Sequence, residues 1–272
     1  MQCLLTALKA ESQPLIDHFG LTKDSSFLFP VFKMDNLYLI GIGVGKKRIK
    51  DRIETFCQYF IHEKIQFINI GIAGGNHSST KIGACYLLHK IKDETTGKTY
   101  YPDILIKHNF EEKSLVTVDS VISDGEGAYK GLVDMEASEI FNVCSSLIPI
   151  HRLAFLKIVS DHMNLEFEEI IAQPISNLIA LQLASIESFL SQLEGMLLEE
   201  NPILSEKDLI WVNEIVQQMS LTKTQSLQLL HRAKGFRLRT FESPFPELQK
   251  RSSLNKTSQK IYFKQFCDQL SA

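Results

Sequence analysis

Three acidic side chains of this 272-residue chain stand where a proton-transferring carboxylate would be sought. They are Glu11 in Ala7-Leu-Lys-Ala-Glu11, Glu136 in Val133-Asp-Met-Glu-Ala137, and Asp161 in Ile158-Val-Ser-Asp161. Each falls at the end of an expected strand or at the start of the helix after it. A carboxylate in such a place can act as general acid or general base. Taken singly, each has a plainer explanation. Glu11 can be a first-turn acid favoured by the helix dipole. Glu136 can be a solvated helix residue, and Asp161 an N-cap. All three in this order, with Gly71-Ile-Ala-Gly-Gly75 between them, are harder to ascribe to chance.

Hydrophobic periodicity predicts strands at Gln2–Ala7, Phe67–Ile70, Ala84–Ile91, Leu115–Val118 and Phe155–Val159, and Leu37–Gly43 is an apolar run ending in glycines. Between them it predicts helices at Glu11–Phe19, Lys46–His62 and Asp134–Leu147. Strands alternating with helices make an α/β domain with a mixed, centrally parallel sheet. Ligands of open α/β sheets bind at the carboxyl ends of the strands, where the glycines and the three acids collect. After Asn164 the strand signals stop. Helices follow at Glu166–Ala172, Asn177–Leu198, Ser205–Met219, Thr222–Lys234 and Lys256–Leu270, with breaks at Pro174, Asn201-Pro202 and Ser243-Pro-Phe-Pro246. Ser205 with Asp208, and Thr222 with Gln225, carry capping signals. This divides the chain into an α/β domain, 1–198, and a helical extension, 199–272.

Several classes of chemistry are excluded. Gly41-Ile-Gly-Val-Gly-Lys46 fails the dinucleotide fingerprint, which wants glycine at position 46, and fails the P-loop, which wants serine or threonine at 47. It reads as a tight strand-to-helix turn that can still aim backbone N–H groups at an anion. His62-Glu63 lacks a histidine at 66, no Gly-x-Ser-x-Gly elbow occurs, and the eight histidines show no ligand spacing. No metal and no cofactor are expected. Five scattered cysteines fit a reducing compartment. No signal peptide and no membrane span are read, so the expected location is the cytoplasm. Net charge is −3, but Asn201–Ala272 holds eleven lysines and arginines against six acids, a net of +5, leaving −8 in the first 200 residues. A basic tail is usually a solvated helical surface and less often a site for an acidic or nucleic-acid partner.

The motifs, in order, resemble the methylthioadenosine/S-adenosylhomocysteine nucleosidases of the nucleoside phosphorylase superfamily. The resemblance runs from Met1 to about Leu198. It rests on the opening strand and glutamate helix, Ile40-Gly-Ile-Gly-Val-Gly-Lys46, Asn69-Ile-Gly-Ile-Ala-Gly-Gly75 with Lys81-Ile-Gly83, Thr117-Val-Asp-Ser-Val-Ile122, Asp134-Met-Glu-Ala137 and Ser160-Asp161. It implies a three-layer, phosphorylase-like α/β sandwich that releases free base from a nucleoside, a purine nucleoside or thionucleoside above all. Glu11 would activate a water, Glu136 would bind the ribose hydroxyls with Met135 under the sugar, and Asp161 would protonate the leaving base. Val121 and Ile122 would line the base pocket, and Gly74 would let the backbone approach the ligand. Ile72, Ala73, Asp134 and Ser160 lie in the same motifs and are expected to line the site. The acid needs a desolvated carboxyl to keep its proton near neutral pH, and an anionic carboxylate near the sugar favours the developing cation.

Phosphorylases of the superfamily carry glycine and arginine in the region of Ala7–Glu11. A glutamate there would repel phosphate, which favours water as nucleophile. Phosphorolysis, and nucleoside binding without turnover, are the alternatives. The family usually has a small hydroxyl residue at the place of Ile72, a glutamate at that of Asp134, and a stacking aromatic at that of Val121. The expected partners are a small nucleoside and a second copy of the chain in a homodimer, with no membrane. Nucleic acid is not expected: a helix-turn-helix within Ser205–Arg239, with Arg232, Lys234, Arg237 and Arg239 on phosphates, is weighed below a plain helical extension.

Overall fold

The computed structural model describes residues 1–60, 64–125, 128–199, 203–240, 243–248 and 256–270. The chain divides into two compact units, Met1–Leu198 and Glu199–Ala272. The expected helix end at His62 and the break at Asn201-Pro202 lie outside the described residues.

The first unit is built on β1 (Gln2–Thr6), β2 (Thr22–Lys23), β3 (Val31–Met34), β4 (Leu37–Gly41), β5 (Gln66–Gly75), β6 (Cys85–Asp93), β7 (Thr99–Tyr100), β8 (Glu111–Thr117), β9 (Leu132–Asp134) and β10 (Leu153–Asp161). Its helices are α1 (Lys9–Phe19), α2 (Ile49–Tyr59), α3 (Ala137–Cys144), α4 (Phe167–Ala172), α5 (Ile175–Ala180) and α6 (Leu183–Glu199). The sheet is mixed, as expected: β5 runs parallel to β1 and β10 and antiparallel to β9. It also closes on itself. From β5 the pairing passes through β10, β6, β8 and β9 and returns to β5, while β1, β4, β3 and β2 continue as an open wing. A closed ring brings together strand ends that an open sheet would hold apart.

Strand alternation assigns side chains to two cores. Cys3, Leu5 and Phe67 pack with Ile49, Ile53 and Phe56 of α2 and Ile140 and Phe141 of α3. Leu4, Ile68 and Ile70 pack with Leu15 of α1, Ile175 and Ile179 of α5, and Ile186 and Phe189 of α6. Helices thus cover both faces, giving three layers. Each fully buried Leu, Ile or Phe contributes about 1.5–3 kcal/mol, so the sheet is held rigidly on both sides.

The structure corrects several boundaries. Asp134 ends a strand and does not open a helix; two residues separate it from α3. The single helix expected over Asn177–Leu198 is α5 and α6, broken at Leu181 and Gln182. Strands β2, β3, β7 and β9 have two to four residues each, too short to show a period. No helix among the described residues is long and apolar enough to cross a membrane.

The second unit comprises α7 (Glu206–Gln218), α8 (Lys223–Thr240) and α9 (Lys256–Gln269) around a core of Val212, Ile215, Leu229 and Phe266. Ser205 and Asp208 form the expected capping box, and Thr222 and Gln225 exchange their bonds at the start of α8. Arg237, expected among phosphate contacts under the nucleic-acid reading, points inward. Its guanidinium forks onto Asp208 and lies 4.1 Å over the Phe245 ring.

Candidate active site

A cleft opens at one end of the sheet ring. The structure places all eleven of the residues singled out in the sequence along it. Glu11, Ile72, Ala73 and Gly74 line it from α1 and β5; Asp134, Met135 and Glu136 from the β9–α3 corner; Ser160 and Asp161 from β10; Val121 and Ile122 from the loop after β8. Leu8, Val44, Phe167 and Ile170 add apolar wall.

Glu11 is 2% exposed. Its Oε2 accepts the Ala7 and Leu8 N–H groups at 2.7 and 2.8 Å, and Oε1 accepts the Ile72 N–H at 2.8 Å. The first two bonds close the N-terminus of α1, and the third ties that helix to β5. A carboxylate offers about four acceptor sites, so three fixed donors leave one, on Oε1. Burial pushes the carboxyl above its usual range, against the opposing pull of the Leu8 and Ile72 bonds and the charge of Lys157.

Glu136, at the N-cap of α3, accepts the Gly45 N–H on Oε1 at 2.7 Å. The glycine loop after β4 therefore does aim a backbone donor at an anion, and that anion is part of the protein. Burial, reinforced by the charge of Asp134, raises Glu136 to about 7.

Asp161 is 3% exposed. The register between β10 and β5 shifts between Val159 and Asp161, which brings Asp161 opposite Gly74. Such a bulge re-aims a side chain at a strand end. Ser160 Oγ donates to Oδ2 at 2.6 Å and the Met163 N–H to Oδ1 at 2.7 Å. Gly74 is needed by close approach: a Cβ there would lie 2.8 Å from Met163 Cγ and 3.3 Å from Asp161 Oδ1.

Asp134 lines the cleft, yet its carboxylate is engaged within the protein. Thr117 Oγ1 donates to Oδ1 at 2.8 Å; the Ala137 N–H donates to Oδ2 at 2.9 Å. The third partner is one the sequence reading missed. Lys157 Nζ lies 2.8 Å from Asp134 Oδ2, with both side chains almost wholly buried. Burial works most strongly against the ammonium, but Asp134, Glu136 and Glu11 together hold Lys157 above its usual value. In β10 it stands opposite Gly71, whose missing side chain leaves room for it: a Cβ at 71 would be 3.5 Å from Nζ and 2.9 Å from Glu11 Oε1. A lysine inside the apolar run Ala154-Phe-Leu-Lys-Ile-Val159 was the available signal, because an unpaired buried ammonium is too costly to keep.

Among the described residues no cluster of three or more His, Cys, Asp or Glu side chains could hold a metal ion.

No family model and no curated protein matches the chain. Solved structures do. The 5′-methylthioadenosine nucleosidase of Arabidopsis thaliana in apo form shares 18% identity, with 71% of this chain and 96% of that chain covered and a TM-score of 0.59. The 5′-methylthioadenosine/S-adenosylhomocysteine nucleosidase of Streptococcus pneumoniae with a transition-state inhibitor shares 17%, covering 71% and 100% at a TM-score of 0.57. The MTAN of Chlamydia trachomatis shares 20%, covering 69% and 97% at 0.53. The chain has their fold. At these identities the likeness is one of architecture, and it bears out the resemblance and the fold class read in the sequence.

Proposed function

We propose that the chain hydrolyses the N-ribosyl bond of a nucleoside, with water as nucleophile. The observation that carries this reading is the gathering of Glu11, Glu136 and Asp161 in one cleft whose described lining residues include no lysine or arginine. A phosphate nucleophile would need cationic donors there. A water needs an acceptor, and Glu11 Oε1 keeps one acceptor site open.

Each carboxylate then has a task set by its surroundings. Three backbone donors hold Glu11 in one orientation, so a water bound at Oε1 is pre-positioned for attack at C1′. Glu136 uses Oε1 for Gly45 and offers Oε2 to the ribose hydroxyls. Asp161, fixed by Ser160 and Met163, gives its proton to the departing base. General-acid help of this kind is typically worth ~10²–10⁴-fold. As C1′ gains oxocarbenium character, the acid-rich cleft favours the growing positive charge.

The base we propose is a purine, protonated at N7, set among Val121, Ile122 and the other aliphatic side chains of the cleft. Nucleosides of the kinds named for the solved neighbours, methylthioadenosine and adenosylhomocysteine, are the first candidates. The assembly proposed is a homodimer and the location the cytoplasm, in keeping with five free cysteines.

The test is base release from methylthioadenosine, adenosylhomocysteine, adenosine, inosine and futalosine, with and without phosphate. Release independent of phosphate and abolished in Asp161→Asn supports the reading. Release only with phosphate makes the chain a phosphorylase. Binding without release makes it a nucleoside-binding protein.

A further inference from the structure

The reaction proposed above makes no use of the second unit, and its charge is sorted by helix. Helix α7 carries Glu206, Asp208 and Glu214 against Lys207. Helix α8 carries Lys223, Arg232, Lys234, Arg237 and Arg239 and no acid over eighteen residues. Helix α9 carries three lysines against Asp268.

The junction of α7 and α8 has a defined form. Helix α7 ends at Gln218 with Met219 as its C-cap, and Ser220 takes the left-handed conformation at φ 48°. Its N–H bonds Gln217 O at 3.1 Å, and the Leu221 N–H bonds Val216 O at 3.0 Å, which closes the helix end. Thr222 then caps α8. This is helix, four-residue turn, helix. Ile215, Met219 and Leu229 pack the two into one core, which Phe263 and Phe266 of α9 complete. The first turns of α8 leave Lys223, Thr224, Leu227, Gln228 and His231 exposed, a single stripe at helical spacing. Beside it, Gln228 and Arg232 of α8 and Lys260, Lys264 and Asp268 of α9 line one groove, three cations against one acid.

We propose that this unit binds duplex DNA, with the outer stripe of α8 entering the major groove and Lys260 and Lys264 on flanking phosphates. A helix-turn-helix places the first turns of its second helix against base edges. Lysine and glutamine there donate to bases, and an exposed leucine suits a thymine methyl. With Arg237 neutralised by Asp208, α8 still carries Lys223, Arg232, Lys234 and Arg239 and no acid, which matches a polyanion and would draw it without regard to sequence. B-form DNA is favoured over duplex RNA, whose deep, narrow major groove does not admit a helix. The proposal is independent of the nucleosidase reading.

The test is fluorescence anisotropy of the full chain with a labelled random-sequence duplex of about two helical turns. At ~50 mM salt, binding is expected at micromolar concentration, weakening ~100-fold by ~200 mM, as release of counterions from about four phosphates requires. Lys260→Glu with Lys264→Glu should cut affinity at least ~10-fold and flatten the salt slope by about 2. Lys223→Glu should act in the same direction, and both variants should keep the parent's melting temperature. Absence of binding at ~50 mM salt overturns the proposal. So does binding that both variants leave intact, or equal affinity for single-stranded RNA or polyglutamate.

Discussion

Lys157 and Asp134 form a buried ion pair, Nζ to Oδ2 at 2.8 Å, directly behind the cleft. The same ammonium acts on Glu136 and Glu11, where its charge opposes the upward push of burial. Removing one partner of a buried pair typically costs 3–5 kcal/mol, because the other charge is left unpaired. Lys157→Met should therefore lose about that much stability and nearly all base release. Denaturant midpoints and turnover check both; a variant as stable as the parent would show that the carboxylates do not depend on the lysine.

Glu136 makes stability depend on pH. Its folded value of about 7 lies above the ordinary 4.5. Between these values the folded chain holds a proton that the unfolded chain has lost. Stability from this group therefore falls as pH rises from about 4.5 to about 7, by roughly 3 kcal/mol at 1.36 kcal/mol per unit. Glu136→Gln should remove that slope, as urea melts across the window would reveal. If the ionised form is what binds ribose hydroxyls, kcat/KM should also rise with pH to a plateau just above 7. Overlapping melts for parent and variant across the window would refute the assignment.

Glu11→Gln is not a mild substitution here. An amide has one oxygen, yet backbone donors approach both carboxylate oxygens, from Ala7 and Leu8 on one and from Ile72 on the other. One orientation sets the amide against Ile72, the other against two donors. A buried donor left without an acceptor costs about 1–3 kcal/mol. The expected outcome is a fall in melting temperature together with loss of base release at every pH. Retained turnover would remove Glu11 from the role of base.

Gly71 is a steric requirement. A methyl group there would sit 2.9 Å from Glu11 Oε1, an atom pinned by a backbone bond, and could not be relieved by rotation. Gly71→Ala should cost about 1–3 kcal/mol and lower kcat more than it raises KM, since the displaced group is the one proposed to position the water. Single-turnover kinetics on the folded variant decide this. Unchanged kcat would mean that Glu11 tolerates displacement.

The elements most readable in the sequence were those with long, clean periods. Helices α1 and α2 and strands β1, β6 and β10 came within a few residues, because each buries one face or both. The candidate site residues came from the resemblance of several motifs taken in order, since each acid taken singly has a plainer explanation. Strand β9 was not readable: three residues carry no period, and its identity comes from pairing with β5 and β8.

The sequence by itself determined where in their elements the three acids fall. Glu11, Glu136 and Asp161 sit at the ends of elements whose hydrophobic patterns dictate where those ends fall, and local rules suffice for that. Only the tertiary structure decided which partners each carboxylate meets there. Closure of the sheet ring brings β5, β9 and β10 together. The register shift before Asp161 turns that side chain toward Gly74. Lys157, far from Asp134 in the chain, pairs with its carboxylate inside the protein. Such outcomes depend on partners far apart in the chain, as with Lys157 and Gly71, and on burial that weakens solvent screening, so that three acids together hold the buried Lys157 ammonium.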